Sequence, residues 1–195
     1  MLVSALCLSL ALQTTPLHPT ELNVEGAFKE PLSGIEFPIR KGEWTRARIF
    51  SYAEPPRLDH SVTYQIRHDV TSVTTATVYV FPNMAPVPDN VEVHLDSLLA
   101  ELSRMGRGYE LAKKLSYTFE KDGVRYTSLL ALFAFRGGVG KSEEPRIEHL
   151  FLIRTESYWI KWRFSTIGPT EITRTASNQR LDQILNLIQD LLPPK

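Results

Sequence analysis

Three segments in the first half of the chain are predicted strands, and in the middle one apolar and polar residues alternate with a period of two. These segments are Trp44–Ala53, His60–His68 and Val73–Phe81, and all three are rich in β-branched and aromatic residues. Such patterning is typical of strands with one buried side. The breaks between the segments are short, which favours antiparallel neighbours because a parallel pair needs a long crossover.

Two later segments carry their apolar residues at helical spacing. The first begins at Asp89, a predicted N-cap with Glu92 three residues on, and ends at Gly106. Its predicted inward-facing residues are Val91, Leu95, Leu98, Leu99, Leu102 and Met105. The second helix is predicted over about Thr175–Leu192, where two prolines end it.

Four more strands are predicted between these helices, over Tyr109–Phe119, Val124–Phe135, Ile147–Thr155 and Tyr158–Thr166. The first pair joins at an Asp-Gly turn and the last pair at a Glu-Ser turn. Strands, helix, strands and helix in this order predict an α+β fold. It is an antiparallel sheet of about six to eight strands with two amphipathic helices packed on it.

The beginning of the chain, MLVSALCLSLAL, is apolar, uncharged and too short to span a bilayer as a helix. It predicts a signal peptide over residues 1–13, cleaved after Ala11 or shortly after Gln13, although the usual basic start is absent. The alternative is a buried N-terminal strand or helix. Residues 14–34 are interpreted as a lead-in or tether and residues 35–195 as a single domain. The expected location is periplasmic or secreted, with no stable membrane anchor after signal removal.

The charge balance changes this picture by excluding classes of partner. The 195 residues include 22 Lys and Arg against 22 Asp and Glu. A neutral total argues against nucleic acid or an anionic membrane surface as the main partner, since both need a basic footprint. The one cysteine, Cys7, lies in the predicted signal peptide, so the mature chain would have no thiol chemistry.

No motif predicts a catalytic, metal-binding or cofactor-binding residue, and we therefore expect no enzyme activity. The run from Phe135 to Ser142 is similar to a phosphate-binding loop, but Phe135 replaces the first loop glycine and Pro145 leads into a strand. A β-hairpin loop explains its glycines better. The five histidines do not fall at metal-site spacings, and there is no GxSxG sequence. An active site assembled from distant residues stays an alternative.

Aromatic and basic residues are interleaved on two of the predicted strands. Pairing across the Glu-Ser turn puts Arg154, Trp159, Lys161 and Arg163 on one face, and leaves an apolar core on the other. The first long strand is predicted to carry Trp44, Arg46, Arg48, Phe50 and Tyr52 on one face. Trp, Tyr and Arg supply much of the energy at protein interfaces. The candidate interaction surface is Trp44, Arg46, Arg48, Arg154, Trp159, Lys161 and Arg163. The alternative is a face partly covered by a helix, with basic stems lying over apolar side chains.

The order of elements resembles the PsbP/Mog1-like α/β/α sandwich, which occurs in exported and photosystem-associated accessory proteins. The segment Ile35–Tyr64, followed by ATVYVF, is similar to uncharacterised bacterial exported proteins. This resemblance implies the fold and export. Together with the signal-like N-terminus and the lack of a catalytic constellation, it leads us to expect an exported, non-catalytic binding or accessory protein that binds another protein or assembly component. Two alternatives remain: a small-molecule or lipid binder using a groove between sheet and helix, and a hydrolase without a recognisable motif.

Overall fold

The computed structural model describes residues 19–52, 59–68, 73–83, 90–104, 109–135, 146–167 and 181–194. Its strands are β1 (Thr20–Glu21), β2 (Phe28–Lys29), β3 (Glu36–Phe37), β4 (Arg40–Lys41), β5 (Trp44–Ser51), β6 (His60–Arg67), β7 (Val73–Pro82), β8 (Tyr109–Lys121), β9 (Val124–Phe135), β10 (Arg146–Arg154) and β11 (Tyr158–Ile167). Its helices are α1 (Val91–Arg104) and the described part of α2, residues 181–190. The predicted signal peptide and residues 136–142 lie outside the described ranges.

The main sheet confirms the predicted α+β class. Among the described residues, nine antiparallel strands form it in the order β1-β5-β6-β7-β11-β10-β9-β8, with β4 also beside β5. A separate hairpin joins β2 and β3. The pairing of β7 with β11 unites the two halves of the chain, from Val73 opposite Ile167 to Pro82 opposite Tyr158.

The two helices lie on opposite faces of the sheet. On the α2 face, Ile184, Leu187 and Ile188 of α2 pack on a continuous apolar surface that includes Trp162 and Phe164. Each such side chain, fully buried, contributes about 1.5–3 kcal/mol to folding. The predicted apolar side of the last hairpin is confirmed, because its residues are at most 4% exposed: His149, Phe151, Ile153, Ile160, Trp162 and Phe164.

The other face, the α1 face, carries a second apolar cluster that α1 covers. The helix packs on β9 and β10, and its Leu95 lies against Leu152 and Trp159. Asn90 caps the helix, because its Oδ1 accepts hydrogen bonds from the backbone N–H groups of Glu92 and Val93. The prediction of Asp89 as the cap is therefore wrong by one residue; Asp89 itself lies outside the described ranges.

A β-bulge in β5 overturns the prediction that its aromatic and basic residues share one face. Arg46 lies opposite Tyr64 and Arg48 opposite Thr63, so Ala47 is an extra residue in the strand. The extra residue reverses the alternation. Trp44 and Arg46 lie on the α2 face, whereas Arg48, Phe50 and Tyr52 lie on the α1 face.

A buried carboxylate fastens the N-terminal hairpin to the sheet. Glu30 is 0% exposed and accepts hydrogen bonds from the N–H and hydroxyl of Ser33 and from Nδ1 of His60. Burial alone would raise the pKa of Glu30, but these hydrogen bonds together hold it below its usual 4.5. Arg46 adds bonds from its guanidinium to three backbone carbonyls of this segment, those of Val24, Gly26 and Phe37.

Candidate binding surface on the sheet

A polar surface occupies the part of the α1 face that lies beside α1 rather than under it. It is formed by β6, β7 and β11, whose residues on this face stand opposite one another in register, such as Thr63 with Thr77 and Lys161 with Tyr79. We call this group the open sheet face: Thr63, Gln65, Thr75, Thr77, Tyr79, Lys161 and Arg163. Gln65 is exposed and the others are half-buried. The centre of a sheet thus presents hydroxyls and cations to its surroundings.

An ion pair anchors one side of the open sheet face. The guanidinium of Arg163 donates from Nε to Oε2 of Glu148 over 2.7 Å and from Nη2 to Oε1 over 2.6 Å. Glu148 is 0% exposed, whereas the Arg163 side chain is 34% exposed. The hydroxyl of Ser165 also donates to Glu148. This two-bond geometry fixes the Arg163 side chain and neutralises its charge locally.

Lys161 lies next to this pair with a different environment. Its ammonium sits 4.3 Å from the centre of the Tyr79 ring, a cation–π contact. Burial lowers the pKa of Lys161 from 10.5 to about 8, and the neighbouring Arg163 adds to this, while Glu101 on α1 acts in the opposite direction. Within the described ranges, no hydrogen-bond acceptor or carboxylate contacts this ammonium. Lys161 therefore carries a charge that no described side chain compensates through a contact.

Tyr79 keeps its proton in this setting. Burial raises the pKa of Tyr79, with contributions in the same direction from Tyr52 and Glu148 and in the opposite direction from Arg163. The phenol is thus a hydrogen-bond donor at neutral pH. The Lys161 ammonium lies over the Tyr79 ring. The ammonium and the phenol hydroxyl can therefore contact the same ligand.

The wall of the surface is the side of α1 that carries His94 and Glu101, seven residues and about two turns apart. His94 packs edge-on against the Trp159 ring, with 4.6 Å between ring centres. Burial lowers the pKa of His94, and the charge of Lys161 lowers it further. His94 is therefore neutral at pH 7. Glu101, in contrast, is exposed.

Hydroxyl groups fill the floor towards the edge of the sheet. The Oγ1 atoms of Thr63 and Thr77 are 3.2 Å apart, and the Tyr52 hydroxyl lies 3.1 Å from Oγ of Ser61. Each such group can both donate and accept. The floor can thus adapt its hydrogen bonds to a polar ligand.

Four of the seven sequence-predicted site residues lie together on the α1 face of the last hairpin, formed by β10 and β11. Lys161 and Arg163 belong to the open sheet face. Trp159 is 0% exposed, lies under α1, and donates from Nε1 to Oδ1 of Asn83. Arg154 is exposed and its guanidinium carbon lies 5.9 Å from the centre of the Trp159 ring. This part of the hairpin matches the alternative in which a helix covers the aromatic residue and a basic stem lies over it.

The other three predicted residues do not join this group. Trp44 is buried in the α2-face core against Phe164. Arg46 binds carbonyls of the N-terminal segment. Arg48 is exposed, 3.9 Å from Glu21. Arg46 and Arg48 line a depression of about 390 Å³ beside the bulge.

Glu148 and Tyr79 complete the site and were missed by the sequence analysis. Glu148 had a usable signal, because pairing across the Glu-Ser turn places it opposite Ser165 and diagonal to Arg163. Tyr79 had none, since its position depends on the pairing of β7 with β11, which are far apart in sequence.

A separate cleft of about 570 Å³ lies at the C-terminal end of α2. Its walls include Lys29, Lys41 and Lys121, with Leu192 and Pro194 near its base. Lys41 pairs with Asp190 over 3.2 Å. Nζ of Lys121 donates to the backbone carbonyls of Asp190 and Leu192 at the end of the helix.

The described ranges lack two further kinds of feature. No group of three or more His, Cys, Asp or Glu residues could hold a metal ion there. No helix in the same ranges is long and apolar enough to cross a membrane.

No protein-family model and no curated protein matches the sequence. Among solved structures, the chain is similar to the crystal structure of PA94 from Pseudomonas aeruginosa, a protein of unknown function described as a candidate regulator. The two share 12% identity and a TM-score of 0.45 over 91% of this chain and 99% of that chain. A likeness of this degree carries no argument about function.

Proposed function

We propose that this protein is an exported, non-catalytic binding or accessory protein with a PsbP/Mog1-like fold, and that it binds a protein partner on the open sheet face. The apolar N-terminal sequence supports export. The placement of two helices on opposite faces of an antiparallel sheet supports this fold. The observation that carries the proposed function is the uncompensated charge of Lys161 in the centre of that face.

The binding role is inferred from the unfavourable free energy of holding the Lys161 ammonium partly out of water without a contacting anion. A cation removed from water without a partner is unfavourable, and Lys161 lies where its neighbours Leu152 and Tyr79 limit hydration. An apolar residue there would extend the surface formed by Leu150 and Leu152. A partner that supplies an acceptor would compensate the charge, and exposed Gln65 with the hydroxyls of Thr63 and Thr77 would surround the contact. The charge of the face therefore favours an acidic partner.

Site-specific photo-crosslinking in the host tests the binding role. A photoreactive residue at Gln65 reports on the open sheet face, and one at Asp182, exposed on α2, is the control on the opposite side. We expect a discrete crosslinked product from position 65 only, and its loss with Lys161→Glu. Identical products from both positions, or a product unaffected by Lys161→Glu, would contradict the proposal.

Export is tested by N-terminal sequencing of the protein recovered from its host, together with the cell fraction that contains it. We expect a mature chain that begins within a few residues of Ala11 or Gln13 in the periplasmic or secreted fraction. A chain that retains Met1 in the cytoplasm would refute export.

A small-molecule role is the second candidate, favoured by the cleft at the end of α2. Its volume lies within the range of about 300–1,000 Å³ that is usual for ligand pockets. The lining combines three lysines with Glu36 and Asp190, which leaves one excess positive charge beside buried Leu191 and Leu192. This combination fits an amphipathic anion. Titration with dodecanoate, followed by NMR, would then shift the amide signals of these two leucines. No shift at those signals would exclude this ligand class.

A further inference from the structure

We infer that Lys161 binds a single carboxylate group, supplied by an acidic peptide segment of the partner. This inference rests on the proposed function and names the chemical group that the open sheet face recognises. The geometry that carries it is the arrangement of Lys161, Tyr79, Arg163 and Glu148 across β7, β11 and β10.

The charges of the described side chains around Lys161 do not balance. Lys161 and Arg163 are cations, and Glu148 is the carboxylate that contacts Arg163 through two hydrogen bonds. One positive charge is left over, on Lys161. Glu101 is near enough to influence this ammonium, but it lies exposed on α1 and makes no contact with it within the described ranges.

The hydrogen-bond count requires an acceptor. The three N–H groups of the Lys161 ammonium face no acceptor among the described side chains and carbonyls, and one side of the group is occupied by the Tyr79 ring. The Tyr79 hydroxyl also makes no hydrogen bond with a described residue. A carboxylate has two oxygens, each with two acceptor positions, and can accept from both donors.

A phosphate group fits this site less well than a carboxylate. At pH 7 a phosphate monoester carries a charge of about −1.5 to −2. It would exceed the single positive charge of Lys161 and leave excess negative charge between buried Glu148 and Glu101. A carboxylate, with one negative charge, balances the site.

The titration of Lys161 is consistent with this geometry and gives the binding a measurable signature. A bound carboxylate favours the charged form of the ammonium and therefore raises the pKa of Lys161 from its value of about 8 in the free protein. The other charged or titratable groups that face it are Tyr79, Arg163 and Glu148 on the sheet and His94 and Glu101 on α1.

NMR of the full-length protein with ¹³C-methylated lysines tests the inference. The probes are a blocked peptide of alternating Thr and Glu, the same peptide with Gln for Glu, and inorganic phosphate. We expect the Glu peptide to shift the Lys161 methyl signal and to raise its pKa by about one unit. Since a hydrogen bond to a charged group typically accounts for tenfold or more in affinity, the Gln peptide should bind about tenfold more weakly.

Two matched variants assign the effect to the site. Lys161→Met keeps the apolar stem and should weaken binding of the Glu peptide about tenfold. Lys113→Met, the same substitution at an exposed lysine of β8, should leave it unchanged. Equal binding of the Glu and Gln peptides, tighter binding of phosphate than of the Glu peptide, or an unaltered affinity in Lys161→Met would each overturn the inference.

This experiment can fail independently of the proposed function. If crosslinking at Gln65 depends on Lys161 while the Glu and Gln peptides bind alike, the binding surface stands and the carboxylate assignment falls. If the Glu peptide binds at Lys161 but position 65 gives no crosslinked product in the host, the carboxylate site stands and the proposed protein partner falls.

Discussion

Replacing Lys161 with methionine should stabilise the protein, although it removes a residue from the proposed binding surface. Methionine retains the unbranched apolar stem over Tyr79 and Leu152 but carries no ammonium to be withdrawn from water. A surface lysine without such surroundings would show no comparable effect. The prediction thus separates a desolvated, uncompensated charge from an ordinary solvated one.

The magnitude follows from the pKa of Lys161. A decrease from 10.5 to about 8 corresponds to at most about 3.5 kcal/mol at about 1.4 kcal/mol per pKa unit. The side chain still touches solvent, which reduces this figure. Methionine also cannot form the cation–π interaction with Tyr79, which subtracts about 0.5–1 kcal/mol. We expect a net increase in the free energy of unfolding of about 1–2 kcal/mol at neutral pH.

The pH dependence of the stability difference between Lys161→Met and the wild type independently tests whether the substitution is stabilising. Below pH 8 the ammonium is protonated in both the folded and the unfolded chain, so the full penalty applies. Between pH 8 and 10.5 the folded chain loses this proton first, and the advantage of Lys161→Met should shrink and disappear.

Urea unfolding of the wild type and variant from about pH 6 to about pH 10.5 measures this difference. The exposed Lys113→Met control should stay within about 0.5 kcal/mol of the wild type. A Lys161→Met protein that is less stable than the wild type at pH 7, or a stability difference that does not change with pH, would show that the Lys161 charge is not desolvated.

Three other substitutions test the contacts around the site and the N-terminal segment. Arg163→Met leaves buried Glu148 without its cation and should lower the free energy of unfolding by about 3 kcal/mol in urea, and adding Glu148→Gln should recover much of this. Glu30→Gln should cost about 1–3 kcal/mol at pH 7; because the pKa of Glu30 lies below 4.5, this cost should persist above pH 4.5 and diminish in unfolding experiments at lower pH. Arg46→Ala should speed amide hydrogen exchange in residues 24–37 while β6 stays protected, and uniform exchange in both regions would contradict that role.

The local sequence pattern predicted the positions of the strands and helices but not which non-local strands pair with each other. The alternation in β6 and the short turn between β10 and β11 depend on neighbours in sequence, so their strands and the apolar face of that hairpin were predictable. The pairing of β7 with β11 is non-local and brings Tyr79 beside Lys161. No period in either strand encodes that pairing.

The bulge at Ala47 shows a second reason why part of the site could not be predicted. One extra residue moves every later side chain of a strand to the opposite face. Trp44 and Arg46 precede the bulge and lie on the α2 face, where they serve the core and the N-terminal segment. Arg48 follows the bulge and lies on the α1 face. The covering of Trp159 by α1 likewise depends on where the helix docks, which its own apolar stripe does not specify.

The pKa of Lys161 in the free, full-length protein shows directly whether this ammonium is desolvated and without a compensating contact. Titration of its ¹³C-methylated amine by NMR, assigned with Lys161→Met, measures that pKa in the absence of any ligand. We expect a value of about 8. A value near 10.5 would show that Lys161 is solvated or already paired, and would contradict the proposal that the open sheet face needs an anionic partner.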